Sequence, residues 1–286
     1  MIRIGLAGWG DHEALYPPGT AAQDKLRLYA KTFPVVEVDS SFYAIQPQRN
    51  YEKWAQETPQ TFGFVVKAYQ AMTGHQRGKP AAGESAEATF AAFCESIVPL
   101  REAGKLKAVL FQYPPWFDCT RAHVDELRRA KERMGDVPLA LEFRHQSWFA
   151  PDVRDKTIAF LKREGWAHSV CDEPQAGPGS VPVVAVPTHP ELTIVRFHGR
   201  NAEGWNSGGQ PNWRDVRYLY RYSRDELTEW IGRLAALAEG SKEVCVLFNN
   251  NSGGDAAANA LELAGLLGLG YPALPVVPVQ LDLFGE

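Results

Sequence analysis

Pro138-Leu139-Ala140-Leu141-Glu142-Phe143-Arg144-His145-Gln146-Ser147-Trp148 passes from apolar to charged within a few residues. Leu139-Ala140-Leu141 has the length and composition of a strand buried on both faces. Side chains two apart on a strand point the same way, so Glu142 and Arg144 share one side. An unpaired charge inside a protein is costly. Two charges facing inward at a strand end therefore either neutralise each other or line a cavity that binds something.

The same theme repeats along the chain. Apolar runs at Ile2–Ala7, Val35–Asp39, Phe62–Ala68, Leu106–Gln112, Leu139–Phe143, Ala167–Cys171, Leu192–Phe197 and Val244–Phe248 read as strands. Helical spacing lies between most of them: around Lys25–Tyr29, Tyr51–Gln56, Ser85–Arg101, Arg121–Met134, Ser223–Glu239 and Asp255–Leu267. Another helix runs to Glu164, with Asp152 as its expected cap and Gly165 as its stop. The Pro/Gly-rich segment Glu173–Pro190 reads as a loop holding at most a short helix. This alternation predicts an α/β fold, a TIM-type (β/α)8 barrel of one domain over residues 1–270, with 271–286 as an extended C-terminal tail. An open doubly wound sheet fits less well, because Gly5-Leu6-Ala7-Gly8 lacks the third spaced glycine of a dinucleotide loop.

Composition narrows the function. At 286 residues the chain has room for two small domains or one barrel of roughly 250 residues. A formal net charge of -4 gives no global attraction to nucleic acid or to an anionic membrane. The cysteines (Cys94, Cys119, Cys171 and Cys245) are scattered without CxxC spacing, which argues against a zinc knuckle or a disulfide framework. No apolar run reaches membrane-spanning length, and the N-terminus has no leader pattern, so a cytoplasmic location is expected.

In barrels the carboxyl ends of the strands build the active site. Here those ends carry Trp9, then Glu37 and Asp39, Lys67, Gln112, Glu142 and Arg144, Asp172, Arg196 and His198, and Asn249-Asn250. The opposite ends (Arg3, Val35, Gly63, Lys107, Pro138 and Ala167) read as bland. Three co-facing charged pairs on one rim point to a functional pocket.

With these residues in place the chain resembles a family. Gly8-Trp9, Tyr16-Pro17, Val36-Glu37-Val38-Asp39-Ser40-Ser41-Phe42-Tyr43, Trp54, Thr58-Pro59, Phe64 and Lys67 resemble the domain of unknown function 72 (YecE-like) proteins. So do Phe111-Gln112-Tyr113-Pro114-Pro115, the Glu142–Trp148 run, Arg196-Phe197-His198-Gly199-Arg200, Tyr220-Arg221-Tyr222 and Phe248-Asn249-Asn250. The resemblance implies a TIM-type barrel with a strand-end pocket and supplies no reaction. Two positions depart from it: Asp39, where the family often has Asn, and Asn251, where a histidine or acidic residue is common.

Three functional classes fit the rim. The first is an enzyme using acid/base chemistry on a small phosphorylated or sugar-like substrate. Glu37, Glu142, His198 and the loop residue His75 are its candidate catalytic groups. Trp9, Tyr43 and Trp148 are candidate stacking residues, and Asp39, Lys67, Gln112, Arg144, Asp172, Arg196, Asn249 and Asn250 candidate polar contacts. In this class no cofactor is called for, and Arg196→Ala is expected to abolish anion binding while sparing the fold. The second is a metal-dependent phosphodiesterase or nucleic-acid processing enzyme using strand-end carboxylates. The spacing argues against it, since no HxH or HExxH occurs and Lys67, Arg144 and Arg196 would repel a cation. No metal and no nucleic-acid partner are therefore expected. The third is a non-catalytic protein that binds a small anionic or sugar-like ligand.

Overall fold

Val, Ile, Leu and Phe dominate the short runs, and β-branched and aromatic side chains suit a pleated surface buried on both faces. In the computed structural model, which describes residues 1–76, 85–205 and 216–274, these runs form eight parallel strands. They are β1 (Ile2–Ala7), β2 (Val35–Val38), β3 (Gly63–Lys67), β4 (Leu106–Gln112), β5 (Leu139–Glu142), β6 (Ala167–Asp172), β7 (Leu192–Phe197) and β8 (Glu243–Phe248). They pair in chain order, and β1 closes on β8 from Ile2↔Val244 to Leu6↔Phe248. The chain is a single-domain TIM-type (β/α)8 barrel.

Strand parity sorts the barrel into layers. Val35, Val65, Ala108, Leu110, Ala140, Ile194, Cys245 and Leu247 pack together in the lumen as an apolar plug. One step toward the carboxyl ends, the same inward rows deliver Glu37, Lys67, Gln112, Glu142, Cys171 and Arg196. The outward rows (Ile4, Leu6, Val36, Val38, Phe64, Val66, Phe111 and Phe197 among them) pack under the surrounding helices. Gly5 is where β1 passes closest to β2: a Cβ there would lie 1.9 Å from the Val35 carbonyl oxygen.

The helices follow the sequence with two corrections. The stretch expected as one helix divides into Ala86–Ser96 and Val98–Glu102, because Pro99 cannot donate to the preceding turn. Asp152 does not cap its helix, which starts at Arg154 with Val153 at the cap position and no side-chain cap bond. Ser223 does cap Arg224–Gly240, in a full capping box with Glu226. Gly165 terminates Arg154–Glu164 in the left-handed conformation.

The amino ends of the strands are not bland, as the sequence had suggested. Arg3 and Lys107 point into the lumen and meet Glu243 at 3.3 and 2.9 Å. They form an ion cluster that closes the barrel floor. Of the stretch expected as a tail, Tyr271 packs against Phe33 and its hydroxyl accepts from the Ile4 amide at 2.9 Å; residues 275–286 lie outside the described residues. No helix among the described residues is long and apolar enough to cross a membrane. All four cysteines are free.

Candidate functional site

Parity places the site. Glu37 on β2, Glu142 on β5 and Arg196 on β7 all point into the lumen above the apolar plug, and they meet there. The Arg196 guanidinium grips Glu37 with Nε and Nη2, at 2.8 and 2.6 Å. Its Nη1 reaches Glu142 Oε2 at 2.8 Å, where the Ser169 hydroxyl also donates at 3.2 Å. Arg144 sits on the other side of Glu142, with longer contacts. Its Nη1 is 3.3 Å from Glu142 Oε1, and its Nη2 is 3.5 Å from Glu173 Oε2. The Val181 amide donates to the other Glu173 oxygen at 2.7 Å. None of these five charged side chains is more than 4% exposed, so water does little to screen them.

Burial without screening pushes the titrating groups apart. Desolvation raises Glu37 to about 7 against the pull of Arg196, and the neighbouring Asp39 carboxylate adds to the rise. Glu173 is likewise raised to about 7 by burial, opposed by Arg144. Burial also works against the Glu142 carboxylate, but Arg196 foremost among its neighbours more than offsets this and holds it well below the usual range. His198 lies 3.3 Å from Glu142, with its Nε2 3.4 Å from Nη1 of both Arg144 and Arg196. Burial and then Arg196 push it down to about 3, so its imidazole is neutral. Its Nδ1 is 3.1 Å from the Asn249 side-chain amide.

Outside this buried cluster lies a more open rim. Lys67 is 3.4 Å from Asp39 and rests over the Phe42 ring at 4.9 Å. His75 meets Phe42 edge-on at 5.0 Å and bonds the Thr73 hydroxyl at 2.9 Å. Burial, then Lys67 and Arg144, lower it to about 4, so its imidazole is neutral at neutral pH. Tyr43 and Trp116 are more than half exposed here. Gln112 and Asn249, half-buried, complete the inward row.

Four expected site residues are not brought to this cluster. Asp172 belongs to the outward row of β6, opposite in parity to Ser169 and Cys171. Arg200 binds it through two nitrogens at 2.8 and 2.7 Å, and Tyr222 and Trp230 complete its shell. Trp148 stacks on Phe143 with centroids 4.1 Å apart and donates its indole N–H to the Phe117 carbonyl. It is core. Asn250 is one step off the inward row and donates to the Tyr220 carbonyl and the Asn259 side chain. Trp9 turns to the rim and packs edge-on against Trp54 at 5.0 Å.

Other residues of the site were missed. Glu173 continues the inward row of 169 and 171, and counting by two from Ala167 would have found it. Trp205, Arg217 and Tyr218 arrive from the segment after β7, where no strand periodicity marks them. Of the two family departures, Asp39 supplies the second carboxylate beside Glu37, and Asn251 leaves its Oδ1 buried without a partner.

Glu142, Cys171 and His198 offer ligand atoms within 4.8 Å of one another. They suit a divalent cation poorly. Arg144 and Arg196 lie against the same imidazole nitrogen, and burial raises the Cys171 thiol well above its usual range.

The chain also resembles proteins already known. It is 57% identical over 285 residues to the UPF0759 protein YunF of Bacillus subtilis (strain 168), covering 99% of this chain and 100% of that one. A DUF72 family protein from Enterococcus faecalis V583 superposes with a TM-score of 0.89 at 36% identity, over 99% of this chain and 100% of that one. Another from Thermotoga maritima MSB8 gives a TM-score of 0.79 at 30% identity, over 94% of this chain and 99% of that one. The family model "Protein of unknown function DUF72" matches residues 3–280, and the chain belongs to that family.

Proposed function

We propose that the protein is an enzyme that binds a small anionic or sugar-like molecule at the barrel mouth and acts on it by proton transfer. The observation that carries this reading is the pair of lumen carboxylates tied to one arginine and driven in opposite directions. Glu37 is raised to about 7 and Glu142 is held ionised. Two carboxyl groups whose environments separate them this way supply an acid and a base at one pH. Glu37 gives or takes the proton, Glu142 remains the fixed anion, and neutral His75 offers a hydrogen bond to the ligand from the rim side. Lys67 and the rim aromatics hold the polar and apolar parts of the ligand. Such a reaction class covers hydrolases, lyases and isomerases.

The test is turnover by the purified chain against a panel of glycosides and sugar phosphates, with products followed by mass spectrometry. At least one compound is expected to turn over, and Glu37→Gln is expected to slow it by about a hundredfold or more. A panel compound that raises the melting temperature and is never converted would instead make this a ligand-binding protein.

A further inference from the structure

We infer that an oxyanion subsite lies between Arg144 and Arg217 around the Trp205 indole, and that it takes a phosphoryl group. This deepens the proposed reading, on which it rests, by naming the charged part of the ligand. The guanidinium carbon of Arg217 is 4.1 Å from the Trp205 ring centroid and 5.7 Å from that of Tyr218. That of Arg144 is 4.8 Å from the same Trp205 ring. Two cations thus share one indole that is only 3% exposed. Like charges brought together away from water repel, and an anion between them removes the penalty.

The hydrogen-bond inventory points to the same place. Among the described residues Arg217 has no ion-pair partner, and its Nε–H is buried without an acceptor. The Trp205 Nε1–H is also buried without an acceptor. Buried donors are paired in the great majority of proteins, so two orphans beside one ring call for an acceptor oxygen; among the described residues the nearby Glu173 Oε2 is also without a hydrogen bond, and no residue places an oxygen within bonding distance of either donor. Arg196 shows the contrast. Its bonds of 2.6 to 2.8 Å to Glu37 and Glu142 leave it a structural cation. The contacts of Arg144 are 3.3 Å or longer and leave it looser.

Charge balance supports the assignment. Among the described residues, four carboxylates (Glu37, Asp39, Glu142 and Glu173) face four cations (Lys67, Arg144, Arg196 and Arg217) around the mouth. Burial raises two of these carboxylates to about 7, so these eight side chains together carry a net positive charge at neutral pH. Donors from two guanidiniums and an indole suit an oxyanion with three free oxygens; one arginine fork already satisfies a planar carboxylate.

Calorimetric titration of the full chain with inorganic phosphate, and separately with acetate, tests this. Phosphate is expected to bind and acetate to bind more weakly. Arg217→Ala is expected to weaken phosphate by about tenfold or more, Arg217→Lys by less, and Trp205→Phe to weaken it through loss of the N–H alone. Trp205→Phe keeps the stacking surface, so it reports on the site even if Arg217→Ala fails to fold. Phosphate bound equally by wild type, Arg217→Ala and Trp205→Phe overturns the subsite, and so does no binding by the wild type. Acetate binding as tightly as phosphate overturns the phosphoryl assignment. A wild type that turns over a panel substrate without binding phosphate sinks the subsite and leaves the proposed function standing.

Discussion

Arg196 directs its Nε, Nη1 and Nη2 at carboxylates that have no access to water. Removing it strips the buried Glu142 anion of its main counter-charge and drives Glu37 to take up a proton, a situation in which breaking an ion pair is damaging. Arg196→Ala is therefore expected to cost about 3 to 5 kcal/mol, read from the urea midpoint. An unchanged midpoint would contradict the pairing. This reverses the expectation from sequence that Arg196→Ala spares the fold. Charged residues spaced by two showed that a polar wall exists at the strand ends. They carried no information on which charge on one strand saturates which on another, because that depends on barrel stagger. The same limit hid Arg217, whose partner is a ring from a different turn of chain.

Elements were legible wherever parity or capping chemistry decided them. Arg121–Met134 and Leu192–Phe197 fall where their periodicity puts them. The errors came from reading rim residues by their nearness to a strand end without carrying the count of two through. Asp172 and Asn250 fail that count, and Glu173 passes it. Helix starts make the point testable. Ser223→Ala removes the hydroxyl half of a capping box, leaving the residue-223 amide on the Glu226 carboxylate, and is expected to cost about 1 kcal/mol in thermal or chemical denaturation. Asp152→Ala, at an exposed position without a capping bond, is expected to change stability by less than about 0.5 kcal/mol. Equal losses in the two variants would mean that the second helix start is placed wrongly.

At the scale of the whole barrel, the buried titrating groups oppose one another. His75 and His168 are lowered to about 4 and His198 to about 3. Folded values below the unfolded 6.5 mean that the unfolded chain takes up protons first on acidification. The stability they contribute is present above 6.5 and lost as pH falls toward 4. Glu37 and Glu173 work the other way: their contribution is present below 4.5 and lost as pH rises through about 7. Three imidazoles outweigh two carboxyls on the acid side, so the melting temperature is expected to be highest near neutrality and to fall toward pH 5. His168 is buried outside the lumen, clear of the site. His168→Asn should flatten the acid limb, by up to about 3 kcal/mol at its end. A melting temperature that climbs steadily from pH 7 to pH 5 would contradict this balance. The closure of the barrel carries one more consequence, for the order of synthesis. β1 lies between β2 and β8, so on the ribosome the first strand made waits for the last strand before its second edge is covered. Ile2, Ile4 and Leu6 travel through most of translation on an open, aggregation-prone edge, which makes residues 243–248 the segment whose emergence ends the chain's exposure to misassembly.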